Sequence, residues 1–246
     1  MPILEPMRFL LLQARNPGDP VREEEMRQFA ARLELPASAL TPWDLLQGPP
    51  KGSVLEDYDA LLIGGSGEYD LSKQNLPHLG ETLAFLQQVV KEGFPTFASC
   101  FGFQLLVAAL GGEVIRDEEN AELGAARVCL TEAGKKDELF GALPDCFWVQ
   151  AGHKERASRM PAGVWNLAYS EKAPYQALRV PGKPIWATQF HPELTEEDTY
   201  LRFKRYAAVY APGLSDEAIR ARLKPSPEAN TLLRRFRAIL AAKKTA

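Results

Sequence analysis

Phe94-Pro95-Thr96-Phe97-Ala98-Ser99-Cys100-Phe101-Gly102-Phe103-Gln104-Leu105-Leu106-Val107-Ala108-Ala109-Leu110 is the stretch whose reading decides the fold. Its first part is a short apolar run. Its last part carries apolar residues in a helical pattern, and a cysteine stands where the two meet. The arrangement this predicts is strand, sharp turn, helix. Such an elbow holds a thiol out of the sheet and sets it at a helix N-terminus, where the dipole favours the thiolate. The backbone of the elbow is strained and closely packed, so it needs small neighbours. Ala98, Ser99 and Gly102 supply them. Taken alone, a cysteine among apolar residues reads equally as an inert core thiol. A second motif downstream decides against that.

The second motif is Thr188-Gln189-Phe190-His191-Pro192-Glu193-Leu194, closing another apolar run over 183–187. In an extended segment, residues two apart point to the same side. His191 and Glu193 therefore face one site across Pro192. A nucleophilic thiol needs a base to take its proton and an acid to orient that base. The other reading, a surface His-Pro turn, leaves the elbow unexplained.

Outward from the elbow, the chain alternates between two periods. Residues 8–13 read as a buried strand and 21–33 as a helix with Met26, Phe29, Ala30 and Leu33 as its apolar positions. A second strand over 39–46 is weakened by Pro42. Residues 58–63 form a strand ending at Gly64-Gly65, and 76–92 a helix closed by Gly93. This β-α alternation predicts an α/β fold: a parallel sheet with helices on both faces. Sites in such sheets lie outside the carboxyl ends of the strands, where Gly64-Gly65 and Cys100 both fall. After Gly112 the pattern changes. Short β-like runs at 113–116, 126–130, 147–150, 165–168, 176–180 and 184–190 predict added, partly antiparallel strands. A helix over 196–210 is broken by Ala211-Pro212-Gly213. The remainder, 216–243, reads as one or two amphipathic helices around Pro225 and Pro227.

Three motifs, Ile63-Gly64-Gly65-Ser66-Gly67, the Cys100 elbow and Gln189-Phe190-His191-Pro192-Glu193, together resemble a class I glutamine amidotransferase domain of the Cys-His-Glu type. In pattern they are like the free-standing proteins that resemble the amidotransferase domain of GMP synthase. The resemblance spans roughly residues 55–195. A fourth match, Gly152-His153-Lys154-Glu155 ahead of Met160-Pro161, resembles the family's His-Gly-Asp stretch but departs from it at Lys154 and Glu155. Ala98 stands where the family usually has glycine.

The resemblance implies a flavodoxin-like fold, a mainly parallel central sheet flanked by helices with added antiparallel strands. It implies that Cys100 attacks the side-chain amide of glutamine, that His191 moves the proton, and that Glu193 orients His191. A γ-glutamyl thioester would follow, with glutamate and ammonia as products. By family position, the backbone amides of Gly65 and Phe101 form the oxyanion hole; an ordinary strand-to-loop turn is the other reading of the glycines. Gln104, Gly64 and His153 are the substrate-binding candidates. For Gln104 the alternative is a helix cap, and for His153 a loop histidine bonded to backbone. Ser66 and Glu68 stand at the pocket mouth or face solvent. The substrate is glutamine or a γ-glutamyl compound, and a separate synthetase or acceptor subunit is the implied partner. A γ-glutamyl peptidase or hydrolase acting alone has the same residues, and a non-enzymatic binding or regulatory protein on the same scaffold is the third reading.

Length and composition set the remaining bounds. A chain of 246 residues with 46% hydrophobic content buries one large core. The expected organisation is a catalytic domain over 1–212 and a helical extension over 213–246. The extension either packs back on that domain or forms a partner surface. A net charge of −3 and a pI near 5.8 give no electrostatic case for nucleic acid. Three histidines and no Cys-x-x-Cys make a metal site an unpromising reading, and no cofactor is implied. The apolar run at the start is too short to span a membrane and lacks a signal-peptide pattern. Cys129 and Cys146 read as core thiols, which fits a reducing cytoplasm. Trp148, Trp165 and Trp186 read as core.

Overall fold

The computed structural model describes residues 7–210 and 213–244. The chain begins with β1 (Phe9–Ala14), α1 (Val21–Leu33), β2 (Leu40–Asp44), β3 (Ala60–Ser66), α2 (Leu79–Glu92), β4 (Thr96–Ser99) and α3 (Phe101–Ala109). It continues through β5 (Glu113–Arg116), β6 (Glu122–Leu130), α4 (Glu132–Lys136), β7 (Cys146–His153), β8 (Glu155–Arg159), β9 (Trp165–Ser170), β10 (Ala177–Val180) and β11 (Ile185–Thr188). It closes with α5 (Glu196–Arg205), α6 (Ala207–Tyr210), α7 (Asp216–Arg220) and α8 (Leu232–Lys244).

Nine strands form one sheet in the order β2-β1-β3-β4-β11-β10-β9-β6-β7. The pairs from β2 to β11 are parallel, and the pairs from β11 to β7 are antiparallel. The fold is thus mixed α/β, with a parallel half that carries the helices and an antiparallel extension. β1 is buried at every position, as a strand covered on both faces must be. Its alternation is visible in the core. Phe9 and Leu11 join one cluster with Phe29, Phe97, Trp186 and Phe236, while Leu10 and Leu12 join another with Ile63, Phe103 and Leu106. Pro42 does not prevent β2, because β2 is an edge strand and an edge can lose an N–H.

The C-terminal helix α8 buries Leu232, Leu233, Phe236 and Leu240. The Phe236 ring lies 5.7 Å from Phe97 and 5.8 Å from Trp186. The expected boundary between 212 and 213, and the helix break at Ala211-Pro212, touch positions outside the described residues.

Several expectations are corrected. Cys129 and Cys146 are not core thiols: they face each other across β6 and β7 and are joined by a disulfide. The step from unpaired thiols to a reducing compartment therefore loses its premise. Trp165 is 51% exposed, and Trp148 is half-buried under the Lys224 ammonium; of the three tryptophans only Trp186 is core. β5 does not join the main sheet but pairs with β8, a strand the sequence pattern does not predict. Among the described residues no helix is long and apolar enough to cross a membrane.

Candidate active site

Cys100 stands between β4 and α3 with φ 51° and ψ −103°. A non-glycine residue held there costs about 1–3 kcal/mol of backbone strain, so the surroundings must enforce it. The Cys100 N–H donates to Thr188 O at 2.8 Å, which ties the elbow to the end of β11. Gly102 permits the close approach of α3 to β3: a Cβ there would lie 2.7 Å from Ile63 O. The sheet order explains the meeting of the two motifs. β4 and β11 are parallel neighbours, with Ser99 level with Thr188, so both motifs leave the same end of the sheet.

His191 faces the Cys100 sulfur on one side, and its Nδ1 is 2.6 Å from Glu193 Oε1 on the other. Burial alone would lower the His191 pKa. The facing Cys100 sulfur and the Glu193 carboxylate outweigh burial and raise it to about 9. Glu193 is fully buried, and its Oε2 has no hydrogen-bond partner among the described residues. Gln189 Nε2 lies 4.0 Å from the Cys100 sulfur. The three residues predicted from spacing thus form one line, thiol to imidazole to carboxylate.

The sulfur opens into a cleft of about 290 Å³ whose walls include Phe101, Gln104, Gly152, His153 and Glu155. Ser66 and Glu68 also line it. Lys73, Arg116 and Lys154 bring positive charge to it, and Asp70 negative. Gln104 is buried and caps nothing: its Nε2 donates to Glu155 O at 3.1 Å. Phe101 begins α3, so its N–H has no acceptor within the helix.

Two predicted contacts, at Gly65 and Gly64, face Glu25, and a third, at His153, lies on the cleft wall. The Gly65 N–H donates to Glu25 Oε1 at 3.1 Å, so in this conformation it is committed to a side chain and not open to a ligand. Gly64 faces the same carboxylate: a Cβ there would lie 2.6 Å from it, and Gly64 is not part of the cleft wall. His153 is on the wall, but both its ring nitrogens are used, Nδ1 toward Glu155 O and Nε2 toward Glu122 Oε2, each at 3.1 Å. Its position serves the wall more than a ligand.

Two buried carboxylates escape the sequence patterns. Glu25 pairs with Arg15 at 2.9 Å and accepts from Gln13 at 3.0 Å. Burial would raise its pKa, but Arg15, aided by Arg202 and these hydrogen bonds, holds it below the usual carboxylate value. The signal is present in part, because Glu25 sits one turn after Val21 and one turn before Phe29 on the buried face of α1. Glu155 accepts from Leu71 N at 2.8 Å and Ser72 N at 3.0 Å, anchoring the loop that forms one side of the cleft. Among the described residues no group of three or more His, Cys, Asp or Glu could hold a metal ion.

Comparison with known proteins identifies the family of the fold. The model of the family "Glutamine amidotransferase class-I" matches residues 41–207. A glutamine-hydrolyzing GMP synthase of Thermosipho melanesiensis is 30% identical over 156 residues, which cover 63% of this chain and 28% of that protein. The chain therefore spans only about a quarter of that relative's length. A glutamine-hydrolyzing GMP synthase subunit of Archaeoglobus fulgidus is 29% identical over 140 residues, covering 57% of this chain and 69% of that one. A solved glutamine amidotransferase of Thermotoga maritima superposes with a TM-score of 0.75 at 19% identity, covering 95% of this chain and 97% of that one. At that identity the likeness speaks for the fold.

Proposed function

The chain belongs to the class I glutamine amidotransferase family, and on that premise we propose that it hydrolyses the side-chain amide of glutamine. The single observation that carries this reading is the line from Cys100 to the facing His191 and on to Glu193, with Cys100 on the wall of a cleft. In the proposed reaction the Cys100 thiolate attacks the carboxamide carbon. His191, held protonated between sulfur and carboxylate, gives its proton to the departing ammonia. Glu193 keeps the imidazole in the useful tautomer. The γ-glutamyl thioester is then cleaved by a water that His191 deprotonates, and glutamate leaves. The oxyanion is received by the Phe101 N–H, and by the Gly65 N–H once that amide leaves Glu25; each such donor is worth on the order of 3 kcal/mol. Gln104 fixes the cleft wall against which the substrate lies.

The Archaeoglobus relative is by its name a subunit. That supports the reading that the ammonia made here passes to a separate synthetase subunit. The Cys100 thiolate suits a reducing compartment such as the cytoplasm, whereas the Cys129–Cys146 bond speaks for an oxidising one. A second reading, a γ-glutamyl hydrolase acting alone, is favoured by one feature. The cleft extends from Cys100 to Lys154, which offers charge to a second residue beyond the γ-glutamyl group, while Lys73 and Arg116 on the same wall are paired with Asp70.

The test is glutamate release from glutamine and from a panel of γ-glutamyl dipeptides, by the wild type and by Cys100→Ser. Release from glutamine, lost in a folded Cys100→Ser protein, is the expected result. Turnover of the dipeptides alone selects the hydrolase reading. Binding without turnover of any of them rejects both.

A further inference from the structure

The family match ends at residue 207, yet the chain after it returns to the catalytic loop. Asn230 lies in a short turn, Ala229–Thr231, directly ahead of α8. Its side-chain Nδ2 donates to Pro192 O and to Leu194 O, each at 2.8 Å. These two carbonyls flank Glu193. A carboxamide nitrogen carries two N–H groups, and both are used here, one on each side of the carboxylate-bearing residue. Glu193 itself is held through one oxygen, by His191, while its Oε2 has no hydrogen-bond partner among the described residues. The direction of its side chain therefore depends on the backbone that Asn230 grips.

The same segment reaches the other end of the loop. The His191 N–H donates to Gln150 O at 2.9 Å. The Gln150 side chain in turn donates to Lys224 O at 2.7 Å and to Ser226 Oγ at 3.1 Å. The Asn230 N–H donates to Ser226 O at 3.1 Å, which closes the segment on itself. Behind it, Ala229, Leu232, Leu233 and Phe236 are buried in the main core. The turn that presents Asn230 is thus anchored to the core, and the catalytic loop is anchored to the turn.

We propose that Asn230 is a positioning residue for the catalytic pair, aligning Glu193 with His191 by clamping the backbone on both sides of Glu193. The proposal rests on the reading of Cys100, His191 and Glu193 as the reacting centre. It assigns to the C-terminal segment a task in catalysis, beyond packing or docking. Loss of the clamp lets the carboxylate drift from Nδ1. The imidazolium that faces the Cys100 sulfur is then less stabilised.

Two variants and two readouts test it. Asn230→Ala removes the clamp. Asn230→Asp keeps the shape but, when ionised, has no N–H to give, and it serves if the alanine variant does not fold. The first readout is steady-state glutamate release, where kcat is expected to fall about tenfold or more with KM nearly unchanged. The second is the pH profile of Cys100 alkylation by iodoacetamide, expected to shift to higher pH in both variants. The second readout needs no turnover. A shifted alkylation profile in a protein that hydrolyses no γ-glutamyl compound supports the clamp while rejecting the proposed function. A variant with a lowered melting temperature but wild-type kcat and wild-type alkylation profile overturns the proposal, because it reduces Asn230 to a structural contact.

Discussion

The Gly65 N–H is bound to the carboxylate of Glu25 at 3.1 Å, on the side of β3 that faces α1. An N–H aimed at a carboxylate is not free for an oxyanion. The donor that the family position assigns to the tetrahedral intermediate is therefore engaged elsewhere in this conformation. Glu25 is wholly buried and its other partners, Arg15 and Gln13, are fixed in or beside β1. A small rotation of the peptide at Gly65 is the cheaper way to release the amide, and glycine allows it.

Glu25→Gln tests the weight of this contact. It preserves volume but takes from the buried Arg15 guanidinium the carboxylate charge that faces it, a loss of about 3–5 kcal/mol for a broken buried pair. Urea melts should show that loss at neutral pH. The sign of the pH effect follows from the lowered pKa. The stability Glu25 contributes is present above its unfolded value of 4.5 and is lost as pH falls through the lower folded value. The wild type and Glu25→Gln should therefore converge in strong acid, and a gap that stays constant down to the acid transition counts against this account.

How much of this is legible in the sequence depends on the range of the interaction. The parallel half of the sheet is legible as β-α alternation, though its strand order is not, and α1 falls at Val21–Leu33 as its apolar spacing predicts. Cys100 is legible because elbow chemistry is local; His191 and Glu193 meet as the spacing predicts, but in a turn after β11, with the Leu194 N–H to His191 O at 3.4 Å, and not in the extended segment that the period-two reading assumes. The Gly65–Glu25 contact is not, since its partners are 40 residues apart and glycine carries no side chain to advertise a partner. β8 escapes the pattern because Glu155-Arg156-Ala157-Ser158-Arg159 holds one apolar residue, and the strand forms through pairing with β5. The Cys129–Cys146 bond escapes it because apolar flanks say nothing of register. It is register that brings the two residues level on neighbouring strands.

The imidazole titration is a second prediction. His191 should titrate near 9 in NMR spectra. A raised folded pKa means that its contribution to stability is fully present below the unfolded value of 6.5 and is lost as pH rises through about 9. The Cys100 sulfur is the largest of the forces that raise it. Cys100→Ala should accordingly pull the titration down. An unchanged midpoint in that variant means the sulfur does not hold the proton on His191.

Thiol chemistry gives a third. With Cys129 and Cys146 paired, Cys100 is the free cysteine of the three in the chain. Glutamine-like electrophiles should label Cys100 in the native protein, and reduction under denaturing conditions should release the other two thiols. The bond joins neighbouring strands at the far end of β6 and β7 from the site, so selective reduction should leave hydrolysis within about twofold of the untreated rate. Label on Cys129 or Cys146 without reductant contradicts the pairing.

The fourth prediction concerns α8. Phe236 is fully buried, with its ring against Phe97 of β4 and Trp186 of β11. Those are the two strands whose ends carry Cys100 and the His191 loop. Truncation of a buried phenylalanine costs about 3–5 kcal/mol, the exact value depending on how far the site collapses. Phe236→Ala should lower the urea midpoint by that amount without changing the slope of the transition. Deletion from Pro225 onward should do more. It strips Leu232, Leu233, Phe236 and Leu240 from the core together and leaves an apolar face uncovered. Such a protein should aggregate. If the truncated chain instead stays monomeric and melts like the wild type, α8 is not part of the core. If that stable truncation also loses a protein partner in pull-down experiments, the extension is a docking element.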